Sequence, residues 1–385
     1  MPLPVEEKKV KIALVVDPLP LGFSVQMNFL KSVVSSLKER YEISVYSNYF
    51  APSKKNELIE LGLKVYQKEG KFVARLLKRT LFKYMNESVL WSVNWFFDGL
   101  EIFKGRNSDD PVLDDCKYVI DLSSTVMPRS DIWWIQGPPF YEVLEAMTSS
   151  NKLIKILFGM FRNKVKKVSM KIVIEKSRRS TKLVAVSRYI ASFYKSIGIN
   201  VDSIVHSSQN FELFKPSPGT IFNKYVLTYV GKETDFDLLI SMAKYGINII
   251  GFGSKIPPGM GFKSLVKHIK FVGSVGSEKL ISLYSGAKFF AFPFTNEPFG
   301  WTPIESMLCG VPVLTYNKQG PSETVINGRT GWLVDTKEEF ISKAYEIWNS
   351  PDTGMNREEC IERGENLKLK YQLDKLLGIL VSVST

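Results

Sequence analysis

The chain has 385 residues, of which 44% are hydrophobic and 23% are charged, a composition typical of a globular protein with about two domains and not of a disordered or collagen-like chain. Three cysteines and two histidines are too few for a disulfide framework, a histidine-based metal centre or a Ser-His-Asp triad. The chain shows no signal-peptide pattern and no apolar run of the ~20 residues that cross a bilayer. We therefore expect a cytoplasmic protein.

The first half of the chain has the pattern of a parallel α/β sheet. Apolar strands at residues 10–17 and 43–46 enclose a glycine-containing loop and a helical pattern, which is the order typical of a Rossmann-like domain. Further short strands are predicted at 118–121, 131–136 and 183–186. We assign residues 1–215 to an N-terminal Rossmann-like domain.

The net charge of +12 is concentrated in two segments of this domain. Residues 71–83 hold five basic residues and no acid, and residues 152–182 hold eight lysines and three arginines against one glutamate. Apolar residues recur at helical spacing between these cations, a pattern typical of a helix that lies on an anionic membrane, although a core-packed helix with solvated lysines gives the same pattern. We favour a peripheral position on the cytosolic face of a membrane.

A nucleic-acid partner is not expected, because the chain has no helix-turn-helix, zinc-finger or RRM-like signature. The oligomeric state stays open.

A second α/β domain is predicted over residues 216–368, after a linker with two prolines and a glycine at 214–219. The fold class is thus α/β, with two doubly wound Rossmann-like domains that face each other across a cleft. Ligands of such sheets bind at the carboxyl ends of the strands. Residues 369–385 are predicted to form a C-terminal helix that packs back on the N-terminal domain.

The most informative segment lies at residues 289–334. A polar loop follows a strand that ends at Pro293, and the next helix is predicted to begin with Thr302 as its N-cap and Glu305 completing a capping box. The amides at this helix N-terminus, together with the carboxylates of Glu297 and Glu305, would suit the hydroxyl or phosphate oxygens of a ligand. On the residues alone, Glu305 could equally be a cap only and Glu297 a solvated loop acid.

This segment closely resembles the signature of the retaining family-4 glycosyltransferases of GT-B fold. The matching motifs are Glu297-Pro-Phe-Gly300, Glu305, Gly310-Val-Pro-Val313, Gly320-Pro-Ser-Glu323 and Asn327-Gly-Arg-Thr-Gly331. The resemblance implies a sugar transfer that retains anomeric configuration, with a nucleotide-diphosphate sugar bound by the C-terminal domain and a hydroxyl acceptor bound by the N-terminal domain. It implies no metal and no other cofactor.

The resemblance also implies roles for individual residues. Glu305 would bind the ribose hydroxyls, and Glu297 would bind hydroxyls of the transferred sugar. The other positions implied to contact the donor are the backbone of Phe299, Gly300 and Trp301 at the sugar, Gly22 at the diphosphate, and Gly273, Ser274 and Val275 at the base.

The chain departs from the family pattern at the charges that neutralise the leaving diphosphate. Lys232 stands in place of the usual arginine, and Thr234 stands where a second basic residue is usual, so that Lys255 is a candidate for the missing charge. Gln136 stands in place of a histidine near the reacting sugar, and a glutamine can hydrogen-bond a hydroxyl but cannot take up a proton.

These departures leave open a non-catalytic relative that binds sugar nucleotides or serves as a partner subunit. A third reading, another GT-B-like activity such as a nucleotide-sugar epimerase, would act without any acceptor.

Asp235 and Asp237 fit an Asp-x-Asp metal motif. They directly follow a strand and begin a helix, however, where aspartate is a natural N-cap. We therefore predict that Asp235 caps the helix.

Overall fold

The computed structural model describes residues 9–17, 19, 25–68, 111–124, 126–139, 152–209, 211–218, 225–231, 234–253, 269–294 and 296–383. The chain divides into two compact units. Unit 1 comprises Met1–Val186, Ile190–Val205 and Leu373–Thr385, and unit 2 comprises Ser187–Tyr189 and His206–Gln372. Each unit is a parallel α/β structure, which confirms the predicted fold class of two Rossmann-like domains.

The division falls after Val205 rather than after residue 215. The segment between these positions packs on unit 2, where Phe211 is buried in a core cluster with Phe290. The indole nitrogen of Trp301 also donates a hydrogen bond to the carbonyl oxygen of Ser207 at 2.9 Å. Pro216 and Pro218 of the predicted linker therefore lie within unit 2 and do not form the boundary between the units.

Unit 1 is built on a seven-stranded sheet in the order β3-β2-β1-β4-β5-β6-β7, and its paired strands run parallel. The strands are β1 Val10–Val15, β2 Tyr41–Ser47, β3 Lys64–Gln67, β4 Tyr118–Asp121, β5 Ser130–Ile135, β6 Ser180–Ala185 and β7 Ser203–Ile204. The helices of the first half are α1 Val25–Leu37, α2 Pro52–Glu60, α3 Pro111–Asp114, α4 Lys152–Arg178 and α5 Arg188–Ser196. The chain moves outward from β1 first toward β3 and then toward β7, which is the doubly wound order.

Helix α4 (Lys152–Arg178) contains most of the basic segment predicted at 152–182. Its packed face includes Ser169, Ile172, Val173 and Lys176, and its exposed cations include Lys166, Lys167 and Lys171. Lys176 is therefore a core residue and not part of a solvated basic face. The second basic segment, 71–83, lies outside the described residues. Among the helices that the structure describes, none combines the length and apolarity needed to cross a membrane.

Unit 2 is built on a six-stranded sheet in the order β10-β9-β8-β11-β12-β13, again with parallel pairs. The strands are β8 Val226–Tyr229, β9 Ile249–Phe252, β10 Lys270–Phe271, β11 Phe289–Phe292, β12 Val313–Tyr316 and β13 Gly331–Val334. The helices are α6 Phe236–Lys244, α7 Ser277–Ser285, α8 Trp301–Leu308, α9 Pro321–Thr324, α10 Lys337–Asn349, α11 Arg357–Asn366 and α12 Leu369–Val383. The winding direction reverses between β8 and β11, so that the loops after these two strands lie together at the topological switch point.

The C-terminal helix α12 begins in unit 2, while its residues from Leu373 onward group with unit 1. Within unit 1, Asp374 pairs with Arg40 at 3.6 Å, although both side chains are well exposed.

Candidate active site

The loop between β11 and α8 lies at the switch point of the unit 2 sheet. It begins after Phe292 and ends at Gly300, which is the N-cap residue of α8. Gly300 has a left-handed backbone with φ of +93°, and no side chain caps the helix. The prediction that Thr302 is the N-cap and that Glu305 completes a capping box is therefore wrong. The left-handed conformation, which favours glycine, starts the helix before Thr302 is reached.

The side chain of Glu297 turns back onto its own loop immediately before α8. Its Oε1 accepts a hydrogen bond from the amide of Gly300 at 3.1 Å and a longer one from the amide of Phe299 at 3.5 Å. A carboxylate here is stabilised by the positive end of the helix dipole. Two of the amides that were predicted to bind sugar hydroxyls thus face the Glu297 carboxylate in this structure.

A second loop, after β12, holds the backbone of Glu297 on both sides. The amide of Glu297 donates to Oε1 of Gln319 at 2.9 Å, and its carbonyl oxygen accepts from the amide of Gly320 at 3.0 Å. Gly320 is required for this close approach, since a Cβ atom there would lie 2.1 Å from the carbonyl oxygen of Pro298. The two loops therefore form one clamp around the backbone of Glu297, made of one side-chain and one backbone hydrogen bond.

Backbone strain is concentrated in the same clamp. Within the described residues, Asn296 with φ of +64° and Gln319 with φ of +70° are the non-glycine residues in the left-handed region. Such residues cost of order 1–3 kcal/mol each and tend to cluster at functional sites. The strain places the side-chain amide of Gln319 against the backbone of Glu297.

Glu305 lies on α8, and its carboxylate is only partly exposed. Tyr284, on α7, donates a hydrogen bond from its hydroxyl to Oε2 of Glu305 at 2.9 Å. Burial raises the pKa of Glu305 to about 7, and the hydrogen bond from Tyr284 opposes this rise. Within the described residues, Glu305 is therefore a partly buried acid whose side-chain hydrogen-bond donor is Tyr284.

Aromatic side chains surround the start of α8. Phe299 is buried and stacks on His206, with ring centroids 4.9 Å apart. Trp301 is half-buried and bound to Ser207 through its indole nitrogen. These contacts anchor the segment after residue 205 to the loop that carries Glu297, which sequence reasoning missed because the partners are about 90 residues apart.

Other motif residues stabilise the loops of the site. Oxygens of the Glu323 carboxylate accept hydrogen bonds from the amides of Arg188 and Tyr189 at 3.0 and 3.1 Å. The guanidinium of Arg363 donates to the carbonyl oxygens of Glu323 and Thr324 at 2.6 and 2.8 Å. The Gly320–Glu323 motif therefore joins three separate segments of unit 2.

Thr234, which stands where a second basic residue is usual, closes the turn after β8. Its Oγ1 accepts from the amide of Gly231 at 2.7 Å, and its backbone forms an isolated bridge with Phe294. The bridge joins the loops on the two sides of the switch point. Thr234 is buried and shapes this loop, but it supplies no charge.

The residues predicted at the base follow the edge strand β10, at the same carboxyl edge of the sheet. Gly273 has a left-handed backbone with φ of +73°, and its carbonyl oxygen accepts from the amide of Gly253 at 3.0 Å. Ser274 is exposed and Val275 is half-buried. Their contact with a base stays a prediction.

Gln136 follows β5 in unit 1, is half-buried, and donates from Nε2 to the carbonyl oxygen of Trp134 at 3.1 Å. The remaining predicted residues, Gly22, Lys232 and Lys255, lie outside the described residues.

Asp235 is the N-cap of α6, with its carboxylate accepting from the amide of Leu238 at 3.1 Å. It also forms an ion pair with Lys337 at 2.7 Å. The predicted capping role of Asp235 is therefore confirmed.

Comparison with known proteins gives a family match in the C-terminal half. The sequence model of the glycosyl transferases group 1 family matches residues 262–367, which include Glu297, Glu305 and Glu323. The resemblance to glycosyltransferases is confirmed.

Two curated relatives agree with this match. The chain is 37% identical over 97 residues, 25% of its length, to alpha-1,3/1,6-mannosyltransferase alg-2 of Neurospora crassa, of which it covers 20%. It is 30% identical over 158 residues, 40% of its length, to the probable sucrose-phosphate synthase of Thermosipho melanesiensis, of which it covers 34%. The matches thus span about a third or less of these two relatives.

The crystal structure of Anabaena Alr3699/HepE in complex with UDP and glucose superposes with a TM-score of 0.61 at 14% identity, covering 97% of this chain and 100% of that chain. This likeness shows the fold, which is GT-B.

Proposed function

We propose that this protein is a retaining glycosyltransferase that moves a sugar from a nucleotide-diphosphate sugar to a hydroxyl acceptor. One observation carries the proposal: the loop of Glu297 and the helix of Glu305 follow β11 at the topological switch point of unit 2, the place where open α/β sheets bind ligands. The family match over the same residues supports it.

The donor is proposed to bind unit 2 through hydroxyl groups. Oε2 of Glu305 already accepts from Tyr284, and within the described residues no further donor reaches the other carboxylate oxygen. A vicinal diol of ribose would supply that hydrogen bond and stabilise the charged form of a partly buried carboxylate. Glu297 and the amides at the start of α8 are proposed to bind the transferred sugar.

The leaving diphosphate is proposed to be stabilised by fixed positive charge. The N-terminus of α8 supplies partial charge, and Lys232, Lys255 and the amide of Gly22 are proposed to add to it. The bond between the anomeric carbon and the diphosphate oxygen breaks while the acceptor oxygen bonds to that carbon on the same face. The acceptor proton passes to a diphosphate oxygen. No protein base is then needed, which makes Gln136 tolerable, and we propose that no metal is required.

The acceptor is proposed to be lipid-linked or a glycolipid, with the protein peripheral on the cytosolic face of a membrane. The exposed lysines of α4, Lys166, Lys167 and Lys171, support this proposal because each cation near an anionic surface contributes ~1 kcal/mol. Lys176 makes no contribution to such a surface, since it is buried.

The membrane proposal is tested by sedimentation with vesicles of neutral lipid alone or with anionic lipid added. We expect binding only to anionic vesicles, and loss of binding when Lys166, Lys167 and Lys171 are changed to glutamate. A matched control changes three exposed lysines elsewhere, Lys244, Lys279 and Lys375. Equal loss in both variants would refute a role for α4.

The transferase proposal is tested with a panel of UDP-, GDP- and ADP-sugars, with membrane lipid extract as the acceptor source. We expect one donor to release its nucleoside diphosphate, a product of unchanged anomeric configuration by NMR, and turnover that persists in EDTA. Glu297→Gln and Glu305→Gln should each lower turnover by at least about tenfold. Nucleotide binding without turnover would support the non-catalytic alternative, and turnover without acceptor would support an epimerase.

A further inference from the structure

Tyr284 is a buried tyrosine whose hydroxyl is directed at the proposed donor site. Its side chain is 0% exposed, and its ring makes edge contacts with Phe252 and Phe290 at centroid distances of 5.7 and 5.4 Å. Both phenylalanines belong to strands of the unit 2 sheet. The ring is therefore held rigidly between α7 and the sheet.

The hydroxyl of Tyr284 makes its short hydrogen bond to a carboxylate. The distance to Oε2 of Glu305 is 2.9 Å, against 3.4 Å to the carbonyl oxygen of Thr302. Hydrogen bonds to charged groups contribute more than those between neutral groups. Burial raises the pKa of Tyr284, and the proximity of Glu305 adds to this rise, so the phenol stays protonated and donates.

A nearby tyrosine shows what a purely structural contact looks like in the same core. Tyr225 is half-buried, and its hydroxyl donates to the carbonyl oxygen of Leu283 at 2.7 Å. Both tyrosines pack with the same cluster and both hydroxyls donate to a half-buried partner, but of the two only Tyr284 contacts a proposed ligand-binding group. Tyr225 is therefore a matched control.

We propose that Tyr284 is a positioning residue for the donor: it binds one carboxylate oxygen of Glu305 and so directs the other toward the ribose hydroxyls. The proposal rests on the proposed function. A carboxylate on a three-torsion side chain that is fixed at one oxygen loses little further freedom when the diol binds, and preorganisation of this kind raises affinity. The preorganised carboxylate should stabilise the bound donor and the transition state to the same extent.

The experiment measures binding of UDP, GDP and ADP by calorimetry to wild type, Tyr284→Phe, Tyr225→Phe and Glu305→Gln. For the nucleotide that binds, Tyr284→Phe should raise the Kd about tenfold or more, while Tyr225→Phe changes it less than about twofold. With the matching nucleotide sugar, the donor KM should rise and kcat stay near wild type. The ratio of the Kd of the 2′-deoxy nucleotide to the Kd of the ribonucleotide should also be smaller in Tyr284→Phe than in wild type.

The double variant Tyr284→Phe with Glu305→Gln decides whether the tyrosine acts through the glutamate. We expect it to bind nucleotide as weakly as Glu305→Gln alone, because the two groups act as one unit. Additive losses, or equal losses in Tyr284→Phe and Tyr225→Phe, would overturn the role of Tyr284 and leave the proposed function standing. If the wild-type protein binds none of the three nucleotides, or if Glu305→Gln binds nucleotide as well as wild type, both the role of Tyr284 and the proposed function are overturned. Thermal melts of each variant exclude misfolding as the cause of a loss of binding.

Discussion

Lys176 and Asp121 form an ion pair in the core of unit 1, where neither residue is exposed to solvent. The ammonium group also lies 4.8 Å from the ring centroid of Trp133, and Ser123 donates to Asp121 through its amide and hydroxyl at 2.8 and 2.6 Å. Burial raises the pKa of Asp121, and the charge of Lys176 opposes this rise. The pair joins the last turns of α4 to the carboxyl end of β4.

Removal of one partner of this pair should strongly destabilise unit 1. Lys176→Met would leave Asp121 buried without its counter-charge, and we expect the free energy of unfolding to fall by about 3–5 kcal/mol. Chemical denaturation checks this value. The exposed Lys171 on the same helix is the control, since Lys171→Met should change stability by no more than about 0.5 kcal/mol. Equal effects at both positions would contradict the buried pair.

Gly320→Ala should separate the two loops that hold Glu297. The added Cβ would lie 2.1 Å from the carbonyl oxygen of Pro298, so the loop must shift. We expect turnover of the nucleotide sugar to fall up to about 100-fold, because displacements of ~1 Å at a reacting centre have effects of this size. The measurement is nucleoside diphosphate release, with a thermal melt beside it. Unchanged turnover would show that the clamp does not position Glu297.

Gly378→Ala should stabilise the protein and serves as the control for Gly320→Ala. Gly378 lies within α12, and a Cβ atom there would meet nothing within 4 Å. Alanine in a helix interior is favoured over glycine by about 1 kcal/mol. We expect a small rise in Tm by calorimetry and unchanged turnover. A lower Tm would contradict the helical environment of this residue.

Glu305 should make stability depend on pH. Its pKa in the folded protein is raised from 4.5 to about 7 by burial. Between these two pH values the folded state keeps a proton that the unfolded state has lost, so the free energy of unfolding falls as the pH rises. The full decrease, up to about 3 kcal/mol, is reached above pH 7.

The variant Glu305→Gln tests this pH dependence. Its free energy of unfolding should be close to that of wild type at pH 4 and higher than that of wild type at pH 8, while nucleotide binding is weakened. Urea denaturation at the two pH values measures the difference. If Glu305→Gln raises the free energy of unfolding by the same amount at pH 4 and at pH 8, Glu305 is not the titrating group.

The sequence by itself determined the elements whose signals are local. Near-continuous apolar runs such as residues 10–17 and 289–293 predicted buried parallel strands, and the place of Asp235 between a strand and a helix predicted its cap. The motif from Glu297 to Gly331 indicated the family. These predictions succeeded because backbone propensity, periodicity and capping depend on neighbours a few residues apart.

The tertiary structure alone decided which groups those elements bring together. It placed Lys176 in the core opposite Asp121, 55 residues away, whereas the sequence showed it only as one of the cations of segment 152–182. It paired Glu305 with Tyr284, 21 residues earlier, and started α8 at the left-handed Gly300 instead of Thr302. Burial, pKa and hydrogen-bond partners depend on contacts between distant segments, and no local pattern encodes them.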